Sequence, residues 1–285
     1  MAKVIDGKEI ANEFCAQIKE RTLEIKKRGI EPRIALINTG EDPASEIYIS
    51  KKEKLATSVG ISSVVYKFNN YVKENEVSDL IVKLNDDAEV HAILLQSPLP
   101  KSFQFRKLIN LIHPDKDVDG LTTINQGRLF SGEPGITPCT PSGVLHLLRT
   151  VHTNIAGLHA VVLGRSSIVG RPLAQLLLNS NCTVTLLHSY SKDLPTICRT
   201  ADILVSAIGK PLFVRKEFVK PGATVIDVGV NKIEKNGSKK IVGDVNFDEV
   251  FEVAAAITPV PNGVGPMTVA YLMHNTLNLA CCYQK

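Results

Sequence analysis

Apolar residues recur along the first half of the chain with two alternating periods. Residues 7–28 repeat at helical spacing, and RIALINTG (33–40) is a short apolar run closing on a glycine, as a buried strand does. A helix is expected from Pro43, with Asp42 as its cap and proline at its first position. ISSVVYKF (61–68), a polar helix around 74–86 and the buried run HAILLQ (91–96) continue the alternation. Strands separated by helices imply βαβ units and a parallel sheet.

GEPGITPCTPSG (132–143) breaks this rhythm and reads as an inter-domain link. A second series follows: HAVVLG, a helix from about 168, CTVTLL, a helix near 194–200, DILVSAIG, ATVIDVG and AAAITPV. A last helix, about 266–281, comes after PVPNGVGP and is expected to pack back on the first domain. The pattern predicts an α/β protein of two α/β domains, the second a Rossmann-like parallel sheet, with a cleft between them. The expected boundaries are residues 1–138 together with helix 267–285, and residues 139–266. A length of 285 residues accommodates two modest cores.

Composition narrows the class. A net charge of +4 without a dense basic stripe, and few aromatics to stack bases, argue against nucleic acid. That mild excess does suit a protein whose ligands are anions. No run of about 18 apolar residues suggests a membrane span. MAKVIDGKEIANEF carries no signal-peptide core, so a cytoplasmic protein is expected. Six cysteines at 15, 139, 182, 198, 281 and 282 lack CxxC spacing, which argues against a metal site or a disulfide framework.

Two regions carry candidate chemistry. HAVVLGRSSIVGRPLAQLLL is strand, tight turn and amphipathic helix, and Gly164 and Gly170 bracket a turn that leaves N–H groups at a helix start, where phosphate is favoured. It is not GxGxxG, since Ser166 and Val169 stand at the second and third positions; a βα turn without ligand is the plainer alternative. NAD-binding sheets place an acid about 20 residues on. Here the strand ends at His188 and Ser189, with no carboxylate before Asp193, which with Arg165 leaves room for the 2′-phosphate of NADP.

The second region is helix 43–59. Projected at helical spacing, Ala44, Tyr48, Leu55 and Val59 form an apolar stripe bordered by Lys51 and Lys52. Solvated lysines lying on such a stripe are the ordinary reading. Gln96 closes HAILLQ, at the carboxyl end of a parallel strand, where α/β ligand crevices open. The loop HPDKDVDGLT (113–122) holds three aspartates, of which Asp119 precedes a glycine and an apolar residue and could turn inward.

With SEIYISKKEKLATSVGI, VHAILLQSPLP, HPDKDVDGLTTINQGRL, PCTPSG, VVLGRSSIVGRP, VIDVGVN, IVGDVNFDEV and ITPVPNGVGPMTVAYL, the chain resembles the bifunctional methylenetetrahydrofolate dehydrogenase/methenyltetrahydrofolate cyclohydrolase family along nearly its whole length. The resemblance implies NADP-dependent oxidation of 5,10-methylenetetrahydrofolate, then hydrolysis of the methenyl product to 10-formyltetrahydrofolate. It implies a folate-binding first domain, an NADP-binding second domain and a homodimer. By the same resemblance Tyr48 is followed four residues later by the catalytic lysine, which selects Lys52 over Lys51; Gln96 is its catalytic partner. Asp119 and Gly263 would bind substrate with Tyr48, and Gly164, Arg165, Ser166, His188, Ser189 and Val230 would hold the cofactor. The chain departs from the family pattern at Ser97 in QSPLP, at Asn262 in PNGVGP and at Ile49. Asn tolerates positive φ, so the second turn is expected to survive. Competing readings are a family member using NAD or lacking the hydrolase, a shikimate- or amino-acid-type dehydrogenase, and a non-catalytic nucleotide sensor. The last two have no use for the YISKK, QSPLP and DVDGLT set.

Overall fold

A computed structural model of the chain describes residues 2–40, 43–235 and 238–282. Its elements in chain order begin β1 (Lys3–Val4), α1 (Gly7–Lys26), β2 (Arg33–Thr39), α2 (Pro43–Ser58), β3 (Ser62–Phe68), α3 (Glu74–Asp86) and β4 (Ala92–Leu95). Then come α4 (Phe105–Leu111), α5 (Thr123–Ser131), α6 (Cys139–Val151), β5 (His159–Leu163), α7 (Gly170–Asn179), β6 (Thr183–Leu187), α8 (Leu194–Cys198) and β7 (Ile203–Ser206). The chain continues with β8 (Thr224–Asp227), the antiparallel pair β9 (Asn231–Lys235) and β10 (Ser238–Val242), α9 (Phe247–Phe251), β11 (Ala256–Ile257) and α10 (Val264–Cys282). The cap expected of Asp42 lies outside the described residues. Among the described residues no helix is long and apolar enough to cross a membrane.

The chain divides into two compact units, residues 13–139 with 269–285, and residues 1–12 with 140–268. In the first, β2 lies between β3 and β4 in a parallel three-stranded sheet. Side chains alternate across a strand, and both faces of this sheet are covered. Ile34, Leu36, Ala92 and Leu94 face a core shared with α1, α2 and α10, through Ile18, Ile49, Leu272, Met273 and Leu277. Ala35, Ile37, Ile93 and Leu95 face a second core, where α3 contributes Val77, Ile81 and Leu84 at helical spacing.

The other unit is a six-stranded parallel sheet in the order β1-β11-β8-β7-β5-β6. The chain leaves β5 for β6 on one side and returns to β7 on the other, so the carboxyl end of β5 is a topological switch point, where open sheets bind ligands. Residues 1–12 group with this sheet, away from the expected span 1–138, because β1 pairs with β11 (Lys3 with Ala256, Val4 with Ile257). The expected link at 132–143 is also more ordered than a link. Gly132, at φ 72°, caps α5, and Cys139 to Gly143 form the first turns of α6. Pro141 sits where its missing N–H costs nothing. Gly143 is required by packing, since a Cβ there would lie 2.9 Å from that of Met267.

Candidate functional site

The inward stripe of α2 differs from the one read in the sequence. Ser45, Ile49, Ala56 and Val59 are buried, whereas Tyr48 is 46% exposed and Leu55 only half-buried; the side chain of Ala44 lies outside the described residues. The helix is thus rotated by about one residue. This places Lys52, at the spacing 45-49-52-56-59, on the buried line itself, and leaves Lys51 exposed. Lys52 is half-buried and donates from Nζ to Gln96 Oε1 at 2.7 Å. Gln96 sits just beyond β4, tied to the sheet by its N–H to the Ile37 carbonyl (2.9 Å), and its Nε2 donates to the Ser97 carbonyl. Both ends of the amide are held, so the oxygen is fixed toward the lysine.

The loop after Pro114 runs beside β4, with Ile93 N–H donating to the Lys116 carbonyl (2.7 Å). That pairing carries the loop to the same strand end, and its charged residues then separate by task. Asp115 is exposed and pairs with Arg128 at 3.4 Å. Lys116, fully buried, donates to the carbonyls of Leu84 (2.9 Å) and Asp87 (2.7 Å), closing the end of α3. Asp117, also buried, accepts from the N–H groups of Leu121 and Thr122 and from Asn125 Nδ2 at 3.0 Å. Asp119 remains. Burial raises its carboxyl above the ordinary range, opposed by the charge of Lys52 and a hydrogen bond from the Cys139 thiol. Burial likewise lowers Lys52, against the pull of Asp119, and drives the Cys139 thiol well above its usual value. Lys52, Gln96 and Asp119 therefore form one cluster: an amine whose pKa burial lowers, an oriented amide and a carboxyl whose pKa burial raises.

Two members of this cluster's support were not singled out in the sequence. Cys139 opens α6. Asn275, on α10, is only 3% exposed, and a buried amide needs partners. Its Nδ2 donates to the Val118 carbonyl (2.9 Å), the Thr137 carbonyl (3.0 Å) and Cys139 Sγ (3.5 Å). It thus ties the loop carrying Asp119 to the segment carrying Cys139.

In the other unit, the expected cofactor residues lie at the carboxyl ends of adjacent parallel strands. Gly164 follows β5 at φ 121°, a conformation that favours glycine, and a Cβ there would lie 2.2 Å from the Ala207 carbonyl oxygen. A Cβ on Gly170 would lie 1.9 Å from the Gly164 oxygen. The turn is thus closed on itself without side chains, the shape of a cradle for phosphate at the start of α7. Ser166 Oγ braces it, accepting from Val169 N–H (3.2 Å) and Gly170 N–H (3.4 Å). Arg165 is exposed, its guanidinium 5.7 Å from the Tyr190 ring centroid. Beyond β6, His188 N–H donates to Ser191 Oγ (3.0 Å), and its Nδ1 accepts from Tyr190 N–H (3.2 Å). Ser189 is exposed. Val230, beyond β8, is 56% exposed, an apolar side chain that folding alone does not cover. Gly263 is buried in the turn after β11, where a Cβ would meet the Pro259 oxygen at 2.4 Å, and Asn262 takes the expected positive φ, 79°.

The family model described as tetrahydrofolate dehydrogenase/cyclohydrolase, catalytic domain, matches residues 5–119, and the one described as the NAD(P)-binding domain matches residues 138–284. A bifunctional protein FolD from Cereibacter sphaeroides is 51% identical over 282 residues, covering 99% of this chain and 95% of the relative. Among solved structures, the bifunctional FolD methylenetetrahydrofolate dehydrogenase/cyclohydrolase of Campylobacter jejuni superposes with a TM-score of 0.96 at 42% identity, covering 99% of each chain. The Trypanosoma brucei methylenetetrahydrofolate dehydrogenase-cyclohydrolase, solved with NADP cofactor and an inhibitor, gives 0.94 at 37% identity, covering 99% of this chain and 98% of that one.

Proposed function

This chain belongs to the tetrahydrofolate dehydrogenase/cyclohydrolase family, and we propose on that premise that it oxidises 5,10-methylenetetrahydrofolate with NADP⁺ and hydrolyses the methenyl product to 10-formyltetrahydrofolate. The observation that carries the reading is the 2.7 Å hydrogen bond from Lys52 to Gln96, in one cluster with Asp119. When bound, NADP⁺ supplies the hydride acceptor for the bridging carbon. The chain's contribution to that step is positioning. Gly164 and Ser166 shape the phosphate cradle, Arg165 and Ser189 suit the 2′-phosphate at a strand end without an acid, and His188 and Val230 line the adjoining strand ends.

Hydrolysis adds water to the bridging carbon of the methenyl cation, breaks that carbon's bond to N5 and releases one proton. Lys52, as free amine, takes a proton from the attacking water and returns it to N5 as the ring opens; the remaining hydroxyl proton leaves as the formyl carbonyl forms. Burial lowers the pKa of Lys52, the direction that favours the free amine this step uses. Gln96 orients Nζ. Asp119 accepts N–H bonds from the pteridine edge and the exposed ring of Tyr48 stacks on the folate; Gly263 is given to the substrate by family resemblance, its missing side chain being required by its own turn.

Lys52→Met is expected to lower the hydrolytic rate by at least about a hundredfold while leaving hydride transfer measurable. An unchanged hydrolytic rate would sink the assignment of Lys52. Parallel initial rates should favour NADP⁺ over NAD⁺. Family resemblance also supports a homodimer, for which light scattering should return twice the monomer mass; a monomer mass would contradict it.

A further inference from the structure

Two buried carboxylates sit among the strand ends of the nucleotide unit, and neither has a part in the chemistry above. Asp244, 0% exposed, accepts with Oδ2 from the N–H groups of Ile208 (2.7 Å) and Gly209 (3.2 Å) and from Ser206 Oγ (3.3 Å). Its Oδ1 accepts from Lys210 N–H (2.9 Å) and Asn231 Nδ2 (3.0 Å). Asp227 accepts from the N–H groups of Gly229 (2.9 Å), Asp244 (3.0 Å) and Val245 (2.8 Å). The segments so gathered are those just beyond β7 and β8. Ala207 N–H bonds the Leu163 carbonyl (2.8 Å), one residue before Gly164, and Val228 N–H bonds the Ser206 carbonyl (2.9 Å). The loop 207–210 is therefore the neighbour of the phosphate turn, and Val230 stands between two residues held by these carboxylates.

We propose that Asp244 is a positioning residue for the cofactor: its carboxylate fixes the loop 206–210 and Asn231 so that the backbone of Ile208 and Gly209 and the side chain of Val230 are preset for a nicotinamide dinucleotide. This rests on the NADP⁺ reading of the same unit. A charge with five donors and no exposure is the acceptor that successive backbone N–H groups need away from water. Its place is equally constrained, since a Cβ on Gly229 would lie 2.2 Å from Asp244 Oδ1. The dipeptide Gly229-Val230 can thus take its course only with a glycine at the first position. An amide in place of the carboxylate keeps the shape but turns one acceptor into a donor, facing N–H groups that then lack a partner.

The test uses Asp244→Asn and Gly229→Ala, the second of which displaces the carboxylate without removing its charge. NADP⁺ affinity is read by titration calorimetry and by the cofactor-induced rise in melting temperature. KM for NADP⁺ is read separately from kcat, and hydrolysis of supplied methenyltetrahydrofolate is followed without cofactor. Both variants should keep a cooperative melting transition and the hydrolytic rate, and weaken NADP⁺ binding by about tenfold, the equivalent of one charge-assisted hydrogen bond. A folded variant binding NADP⁺ within about twofold of the unaltered chain would overturn the proposal, as would loss of the melting transition in both, which assigns the carboxylates to stability alone. Failure of the unaltered chain to bind NADP⁺ would instead overturn the cofactor reading itself.

Discussion

Lys52 and Asp119 illustrate how burial can set chemistry without a metal ligand or a strained backbone. Each is pushed by desolvation toward its neutral form, and each charge partly restores the other. In the proposed hydrolytic step the free amine is the working form, so the rate should rise as pH rises through the pKa of Lys52 and level off above it. Because burial lowers that pKa, the rising limb should lie at lower pH than an exposed lysine gives. A pH–rate profile on methenyltetrahydrofolate, corrected for the uncatalysed reaction, checks this; a limb in the ordinary lysine range would contradict it. Arg165 is the residue we propose in the matching role for the cofactor. Its replacement by alanine should raise KM for NADP⁺ by about tenfold and leave KM for NAD⁺ nearly unchanged, since only NADP⁺ carries the extra phosphate; equal effects on both would remove Arg165 from that role. At this scale the sequence was readable in part. Periodicity could not separate Lys51 from Lys52, because a stripe set one residue off puts both at its border. The family spacing chose Lys52, and the two lysines differ in that the buried line of α2 passes through Lys52 while Lys51 is exposed.

The elements explain why scattered residues meet. Parallel strands align their carboxyl ends, so β4 brings Gln96 beside the loop of Asp119, while β5, β6 and β8 bring Gly164, His188 and Val230 to one edge of their sheet. The buried strands were legible because both of their faces are covered and their apolar runs are unbroken. The antiparallel pair β9 and β10 was not, because NKIEK and SKKIV are charged; the dipeptide Asn236-Gly237 between them was the available hairpin signal. The helix α6 was hidden by the proline and glycine of its first turns. Asn275 on α10 was hidden for another reason, as its partners lie more than 100 residues away. Asn275→Leu keeps the branched shape but leaves the carbonyls of Val118 and Thr137 without this donor. It should cost about 1–3 kcal/mol of stability, raise KM for the folate and leave NADP⁺ affinity unchanged, as denaturant titration and steady-state kinetics would read. An unchanged folate KM would mean that Asn275 does not hold Asp119 in place.

Over the whole chain, two compact units each enclose their own buried clusters, and each carries one half of the proposed chemistry. That there are two successive α/β series was visible in the alternation of apolar runs. The allegiance of the first dozen residues was not, since a two-residue strand leaves little pattern and its partner lies near residue 256. One chain performing both steps is what we propose. It is tested most directly by supplying 5,10-methylenetetrahydrofolate with NADP⁺ and following NADPH, the methenyl intermediate and 10-formyltetrahydrofolate together, for the unaltered chain and for Lys52→Met. NADPH and formyl product should rise together in the first, and NADPH should form with accumulated methenyl intermediate in the second. NADPH formed without any formyl product beyond the uncatalysed rate in the unaltered chain, or identical traces for the two proteins, would contradict it.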